Sequence, residues 1–415
     1  MIGLADCNNF YASCERIFHP EINNKPVLVL SNNDGCVIAR SDESKALGIK
    51  MGEPVFKIKG LIKENKINVF SSNFPLYGDL SRRVMRTLQS ELKAIEIYSI
   101  DEAFLDFSDY LSLERVLSIR KKVQKWTGIP ISIGVAPNKT LAKVANHIAK
   151  KEQRGVFILD NKLLIKKVLN DFPVESLWGI GRKYARRLKV MNIKTALELR
   201  DANPLWLRKC FSINTIKLQN ELKGALMYNL NNFKTTKKSI CTSQSFGREI
   251  KDFNNLHEAI SNFASNSALK LRRENSYCSK ISVFLMTNRF NLDVKQYNPS
   301  ITLAFDTPTN DSMEIINKSK EALKLIYSHK FSYKKAGVVL HANTKNKQIQ
   351  MSFFDNINRV KRNKLMESID SLNLTLGKNK IRFASQGFNE KWQSKRQKLS
   401  PSYTTKYDEI LTIKI

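Results

Sequence analysis

The chain has 415 residues, enough for two to four domains that each bury a core. Its 16 Gly, 11 Pro and 26% charged residues exclude a collagenous or wholly disordered chain, and it lacks an apolar run of about 18 residues that could span a membrane. A net charge of +31 calls for a polyanionic partner, nucleic acid ahead of an anionic membrane surface.

The positive charge is unevenly spread: residues 1–160 carry +5, residues 161–229 carry +9 and residues 230–415 carry +17. A Lys-rich proteome would explain part of the excess, but the split favours a nearly balanced catalytic part followed by a part that grips. The six cysteines form no Cys-x-x-Cys and the five histidines no pair at ligand spacing. That argues against zinc and for free thiols in a reducing, cytoplasmic compartment, and the opening residues have no leader pattern.

Residues 2–6 and 27–30 read as buried strands, and 31–35 (SNNDG) as a turn into a further strand from Cys36. Leu80, Val84, Leu88, Leu92 and Ile95 recur at helical spacing, and strands at 97–100 and 103–107 follow, joined at Asp101 and Glu102. A helix at 111–126, a strand at 131–135, a helix at 139–150 and a strand at 155–159 complete what reads as a split βαβ sheet with helices on one face. Residues 170–229 read as helical and 230–239 as a polar linker. Strands at 240–246, 278–286, 301–305 and 336–341, with helices at 255–273 and 313–327, then give a β-α-β-β-α-β domain. From 346 the chain reads as a polar tail with apolar islands.

Asp6 ends an apolar strand, and Asp101 with Glu102 interrupts two apolar runs, so all three acids stand where burial of an unpaired charge is costly. Two readings of the pattern stand. The acids are a strand-end cap and a turn pair, or they are oxygen ligands for a divalent metal, in which case the absence of His and Cys partners favours magnesium. Asp79, Asp106 and His147 read as structural.

Four stretches, ADCNNFYASCE at 5–15, SNNDGCVIARSDESKALGIKMGEP at 31–54, SIDEAFLD at 99–106 and IGVAPNKTLAKVANHIAK at 133–150, resemble the Y-family translesion DNA polymerases. Asp42, Lys45 and LSPSYTTKYDE at 399–409 place the resemblance in the UmuC branch. It implies a multidomain α/β, right-hand polymerase. The palm is expected at 1–25 and 76–168, small fingers at 26–75 and a helix-hairpin-helix thumb at 169–229. The little finger falls at 240–345 and a C-terminal tail at 346–415.

By the same resemblance, Asp6, Asp101 and Glu102, with the main-chain carbonyl of Cys7, hold two magnesium ions for attack of a primer 3′-hydroxyl on a dNTP. Tyr11 is the steric gate against a 2′-hydroxyl, Lys45 and Lys150 meet the triphosphate, and Cys36 and Ile38 roof the templating base. In LWGIGRKYARRL at 177–188, Gly179 and Gly181 bring backbone N–H groups to a DNA phosphate while Arg182, Lys183, Arg186 and Arg187 add charge. Ser243, Ser245, Arg248 and Lys280 track the template backbone. Gln350, Met351, Phe353 and Phe354 resemble a sliding-clamp-binding peptide. The implied partners are primer-template DNA, dNTP, a processed UmuD-type dimer, a RecA filament and the sliding clamp, with no membrane. Two alternatives remain at this stage: a DinB-like polymerase that bypasses lesions alone, and a DNA-binding scaffold without catalysis.

Overall fold

The computed structural model describes residues 1–415 apart from 153, 231–236, 292, 346–351, 354, 356, 378, 389–391 and 413–415. Two compact units emerge, one of Met1–Ser31, Gly35–Lys234 and Lys398–Ile415, the other of Asn32–Asp34 and Thr235–Gln397.

The first unit begins with β1 (Ile2–Cys7), α1 (Phe10–Phe18), β2 (Val27–Leu30), β3 (Val37–Arg40), α2 (Asp42–Ala46), α3 (Lys59–Glu64), β4 (Asn68–Ser71) and α4 (Phe74–Glu91). It continues with β5 (Ile95–Ile97), β6 (Glu102–Asp106), α5 (Leu113–Thr127), β7 (Ile131–Ala136), α6 (Lys139–Ala149) and β8 (Val156–Ile158). Five shorter helices follow: α7 (Lys162–Asp171), α8 (Arg182–Val190), α9 (Ala196–Asp201), α10 (Pro204–Cys210) and α11 (Ile213–Leu222).

The main sheet has the order β5-β6-β1-β7-β8, with β1 antiparallel to both of its neighbours. All six residues of β1 and all six of β7 are buried, so neither strand has a face that water can solvate. Helices must therefore cover both sides. Ala5, Ala103, Leu105 and Ile133 pack with Leu80 and Val84 of α4 and Val116 and Ile119 of α5, whereas Leu4 and Phe104 pack with Leu141 and Ala145 of α6. This corrects the expectation of helices on one face: continuous apolar strands need two covers, and only alternating strands can do with one.

The hairpin before β6 also differs from its sequence reading. The backbone turns extended at Leu92 (φ −135°, ψ 146°), so the helix stops at Glu91, short of Ile95, and β5 forms at 95–97 instead of 97–100. Ser99 sets the turn that follows, its hydroxyl accepting from the N–H groups of Asp101 and Glu102. Local turn chemistry thus outweighs the apolar periodicity of 80–95.

Gly134 of β7 lies against α6 so closely that a Cβ would fall 2.0 Å from the backbone nitrogen of Asn146. Asn146 in turn donates to the carbonyls of Leu4 and Ser132, at 3.1 and 2.8 Å, which fastens α6 across β1 and β7. Because the obstacle is backbone and not a side-chain tip, Gly134→Ala is expected to cost about 3 kcal/mol of stability, measured by urea unfolding. A loss below about 1 kcal/mol would show that α6 shifts freely.

A smaller sheet, β3-β2-β4, has its own core of Leu28, Leu30, Val37, Ile49, Ile58 and Ile67. Alternation along β3 buries Val37 and Ala39 and leaves Cys36 and Ile38 half-buried on the opposite face.

The second unit contains β9 (Ser239–Ile250), α12 (Phe253–Arg273), β10 (Ser276–Met286), β11 (Ser300–Thr309), α13 (Ser312–Ile326) and β12 (Tyr333–Lys345). These meet the β-α-β-β-α-β order read from the sequence. They form an antiparallel sheet, β11-β10-β12-β9, whose Ile281, Val283, Val338 and Leu340 pack on Ile260, Phe263, Ile315 and Leu323 of the two helices.

Beyond residue 346 the chain is not a featureless tail. A seventeen-residue helix, α14 (Arg359–Thr375), buries Met366 alone and is held by charge: Arg272 to Asp370, Arg359 to Glu314 and Arg362 to Asp311, all at 2.7–2.8 Å. A helix docked through ion pairs carries almost no apolar stripe, so periodicity does not reveal it. The segment from Lys398 belongs to the first unit, where Tyr403 joins the core that covers β1.

Candidate active site

Antiparallel register places Asp6 of β1 directly opposite Glu102 of β6, with Asp101 one residue before the pair; the carbonyl of Asp101 accepts from the N–H of Cys7 at 2.9 Å. Asp6 and Glu102 share the even-numbered face with Leu4 and Phe104, the face that α6 covers. Two lysines of that helix region meet them: Lys150 Nζ is 2.7 Å from Asp6 Oδ2, and Lys143 Nζ is 2.8 Å from Glu102 Oε1. Asp101 instead accepts from Ser99 Oγ at 2.5 Å.

Asp6 is only 9% exposed. Burial pushes its carboxyl up to about 6, with Lys150 opposing and the charges of Glu102 and Asp101 adding to the rise. The Cys7 thiol is pushed well up by burial, then by Asp6 and Asp101, and it lies in the apolar core, which leaves its main-chain carbonyl as the only possible ligand. Among the described residues no three His, Cys, Asp or Glu side chains converge on one point. Lys150 and Lys143 draw two of the carboxylates towards α6, each lysine supplying the positive charge that the acids require. The donor set nonetheless fits a hard divalent cation: three carboxylates and a carbonyl, all oxygen.

The Tyr11 ring stacks on Tyr77 of α4 at 4.5 Å and 18° and meets Phe74 edge-on at 6.0 Å. Burial raises its phenol and the charge of Asp101 raises it further; the ring packs against the core that holds Ala5, Cys7 and Leu80. Lys45 of α2 is paired with Asp42 at 2.9 Å, and Asp42 also bonds Asn9 at the start of α1. Of the proposed triphosphate lysines, Lys150 touches a site acid, whereas Lys45 is paired with Asp42.

Sequence reasoning missed the surroundings of Lys143. Its ammonium lies 4.7 Å from the Tyr98 ring, 5.6 Å from Trp178 and 5.8 Å from Phe104, and Trp178 Nε1 donates to the Tyr98 hydroxyl at 3.1 Å. Lys139, one turn earlier, pairs with Glu96 at 2.6 Å and is nearly buried. The signal was present as lysines at 139, 143 and 150 on one helical face, opposite strands that carry acids. Asp6, Glu102, Lys143, His147, Lys150 and Trp178 line a cleft of 240 Å³. His147 packs edge-on to Phe172 at 5.2 Å.

In the helical part, Gly179 adopts φ +89° and Gly181 stands at the N-cap of α8, where it offers no side chain to the first N–H groups of the helix. Arg182, Lys183, Arg186 and Arg187 are all exposed; Arg187 is the tethered one, donating to the Cys210 carbonyl at 2.7 Å and lying 4.8 Å from the Phe211 ring. In the second unit, the register sets Ser243 opposite Gly337, Ser245 opposite Lys335 and Lys280 opposite His341. All three therefore lie on the sheet face turned away from α12 and α13. Arg248, further along β9, is exposed. Phe353 is 98% exposed, while Gln350, Met351 and Phe354 lie outside the described residues.

A sheet with acids at paired strand ends, a basic helix-hairpin-helix and a β-α-β-β-α-β unit together define a Y-family polymerase. Comparison with known proteins bears this out. Residues 5–147 match the impB/mucB/samB family, 165–193 its HHH motif and 237–353 its C-terminal domain, while 363–413 match a domain of unknown function. Protein UmuC of Salmonella typhimurium is 42% identical over 422 residues, with 100% of both chains covered. A DNA polymerase IV of Bacillus subtilis is 31% identical over 78% of this chain and 77% of its own. A solved Y-family DNA polymerase chimera of Dbh and Dpo4 shares the fold with a TM-score of 0.65 at 23% identity, over 82% of this chain and 98% of its own. The chain belongs to the impB/mucB/samB family and is a UmuC-like, Y-family translesion DNA polymerase. Among the described residues no helix is long and apolar enough to cross a membrane.

Proposed function

We propose that the chain carries out error-prone lesion bypass in the DNA-damage (SOS) response of the cytoplasm, by nucleotidyl transfer at Asp6, Asp101 and Glu102. The observation that carries this reading is the cross-strand pairing of Asp6 with Glu102 beside Asp101, which gathers three acids at the ends of adjacent strands with Lys150 and Lys143 against two of them. Two magnesium ions, held by these acids and the Cys7 carbonyl, would stabilise the charge that develops on the oxygens of the transferred phosphoryl group. Around them Lys150 exchanges its contact with Asp6 for the triphosphate, and Lys45 supplies a second point charge. The Tyr11 ring closes the space below the sugar, so a 2′-hydroxyl clashes and dNTP is selected. Cys36 and Ile38 cover the templating base from the half-buried face of β3. The N–H groups after Gly179 and Gly181, with Arg182, Lys183, Arg186 and Arg187, hold phosphates without reading sequence, and Ser243, Ser245, Arg248 and Lys280 do so from the second unit.

On this UmuC-like reading, the partners are a processed UmuD-type dimer and a RecA filament, with the 350–354 peptide meeting the sliding clamp; the 42% identity to Protein UmuC over the full chain supports the UmuC-like assignment on which they rest. The test is primer extension on an abasic template with and without those two proteins. Strong stimulation is expected, and equal bypass without them would favour a polymerase that works alone. For the clamp, replacing Phe353 and Phe354 together by Ala is expected to remove clamp-stimulated synthesis at raised salt, where tethering supplies roughly 10²-fold in avidity. Synthesis without the clamp at low salt should be unchanged; a wild-type response to the clamp would dismiss the peptide.

A further inference from the structure

The carboxylate of Glu15 is wholly buried on α1, one turn from Tyr11. Its Oε1 accepts from the Tyr77 hydroxyl at 2.5 Å and from the Ser400 hydroxyl at 3.1 Å, while Oε2 has no partner among the described residues. Those two hydroxyls are thus the donors that compensate a buried acid, and each matters more than a surface hydrogen bond would. Tyr77, itself fully buried, is the ring on which Tyr11 stacks.

Ser400 comes from the far end of the chain and is firmly placed. Leu399 bridges to Ser71 at the end of β4, and the N–H of Lys398 donates to Ser71 Oγ at 3.0 Å. The Asn73 amide donates to the Ser400 carbonyl at 2.9 Å and to its hydroxyl at 3.1 Å, and its Oδ1 accepts from Leu76 N to cap α4. Tyr403 stacks on Phe18 at 4.5 Å and bonds His19 at 3.0 Å, which closes the other end of α1. The segment therefore joins the helix that carries Tyr11 to the helix that carries Tyr77.

We infer that residues 398–403 are a specificity-determining part of the nucleotide site, which through Ser400, Glu15 and Tyr77 holds the Tyr11 ring in place and so sets discrimination between deoxyribose and ribose. The inference rests on the reading of Tyr11 as the gate. A steric gate acts over fractions of an ångström, since atoms at contact distance gain or lose most of their interaction within that range. A ring stacked at 4.5 Å follows its partner, so loosening Tyr77 lets the gate give way. Ser400 and Tyr77 are positioning residues here, and neither touches the nucleotide.

The experiment compares kcat/KM for a ribonucleotide with that for its deoxy counterpart in Ser400→Ala, Tyr77→Phe, the double variant and Tyr11→Ala, with thermal unfolding as a check on folding. Each single variant is expected to raise the ribo-to-deoxy ratio about tenfold, the worth of one hydrogen bond. The double variant should rise by much less than the product of the two, because both act through one carboxylate. Wild-type ratios in the single variants, or a fully multiplicative double, while Tyr11→Ala admits ribonucleotides, would overturn the inference and leave the gate standing. If Tyr11→Ala itself still rejects ribonucleotides, the gate reading fails and the inference falls with it.

Discussion

Asp101→Asn is expected to abolish nucleotide incorporation, by about 10³-fold or more, while primer-template binding stays close to wild type. The substitution keeps the size of the side chain and its contact with Ser99 but removes one anion from a cluster of three. A loss of 10³ corresponds to about 4 kcal/mol, the scale expected when a metal ligand for phosphoryl transfer is lost. DNA affinity, by contrast, is expected to come from the positive charge of residues 161–415, which carry +26 of the net +31. Single-turnover extension and a filter-binding titration measure the two properties separately. Incorporation within about tenfold of wild type would remove Asp101 from the centre, and a parallel loss of DNA binding would point to misfolding.

Tyr11→Ala should give the second large effect, a rise of about 10²-fold or more in ribonucleotide insertion relative to deoxynucleotide insertion. The discrimination is a clash, and a clash vanishes with the ring that causes it. Deletion also leaves Tyr77 and Phe74 facing a cavity, so some loss of stability is expected alongside the change in selectivity. Unchanged rejection of ribonucleotides would make Tyr11 a packing residue only.

How much of this was legible in the sequence differs element by element, for physical reasons. β1 and β6 could be read because an apolar run interrupted by an acid is costly wherever it folds, and that cost marked Asp6, Asp101 and Glu102. The pattern alone could not separate a turn pair from a metal centre; only the ordered motifs of the resemblance favour the second reading. The facing of the helices was misjudged, since a strand buried on both sides looks in sequence like any apolar run until its neighbours are known. Lys143 and its aromatic surroundings were missed because Tyr98, Phe104 and Trp178 are brought together only by the fold. α14 escaped because ion pairs hold it and an apolar stripe does not. Ser400 was the least accessible, being a single hydroxyl that acts on a carboxylate 385 residues away.

The most direct test of the account is the position of manganese, located by its anomalous scattering, in a crystal of the enzyme with primer-template and a non-hydrolysable dNTP. The account predicts manganese between the triphosphate and the carboxylates of Asp6, Asp101 and Glu102, with Lys150 moved from Asp6 to the phosphates. Manganese bound elsewhere, with Lys150 still on Asp6 and Lys143 still on Glu102, would contradict it.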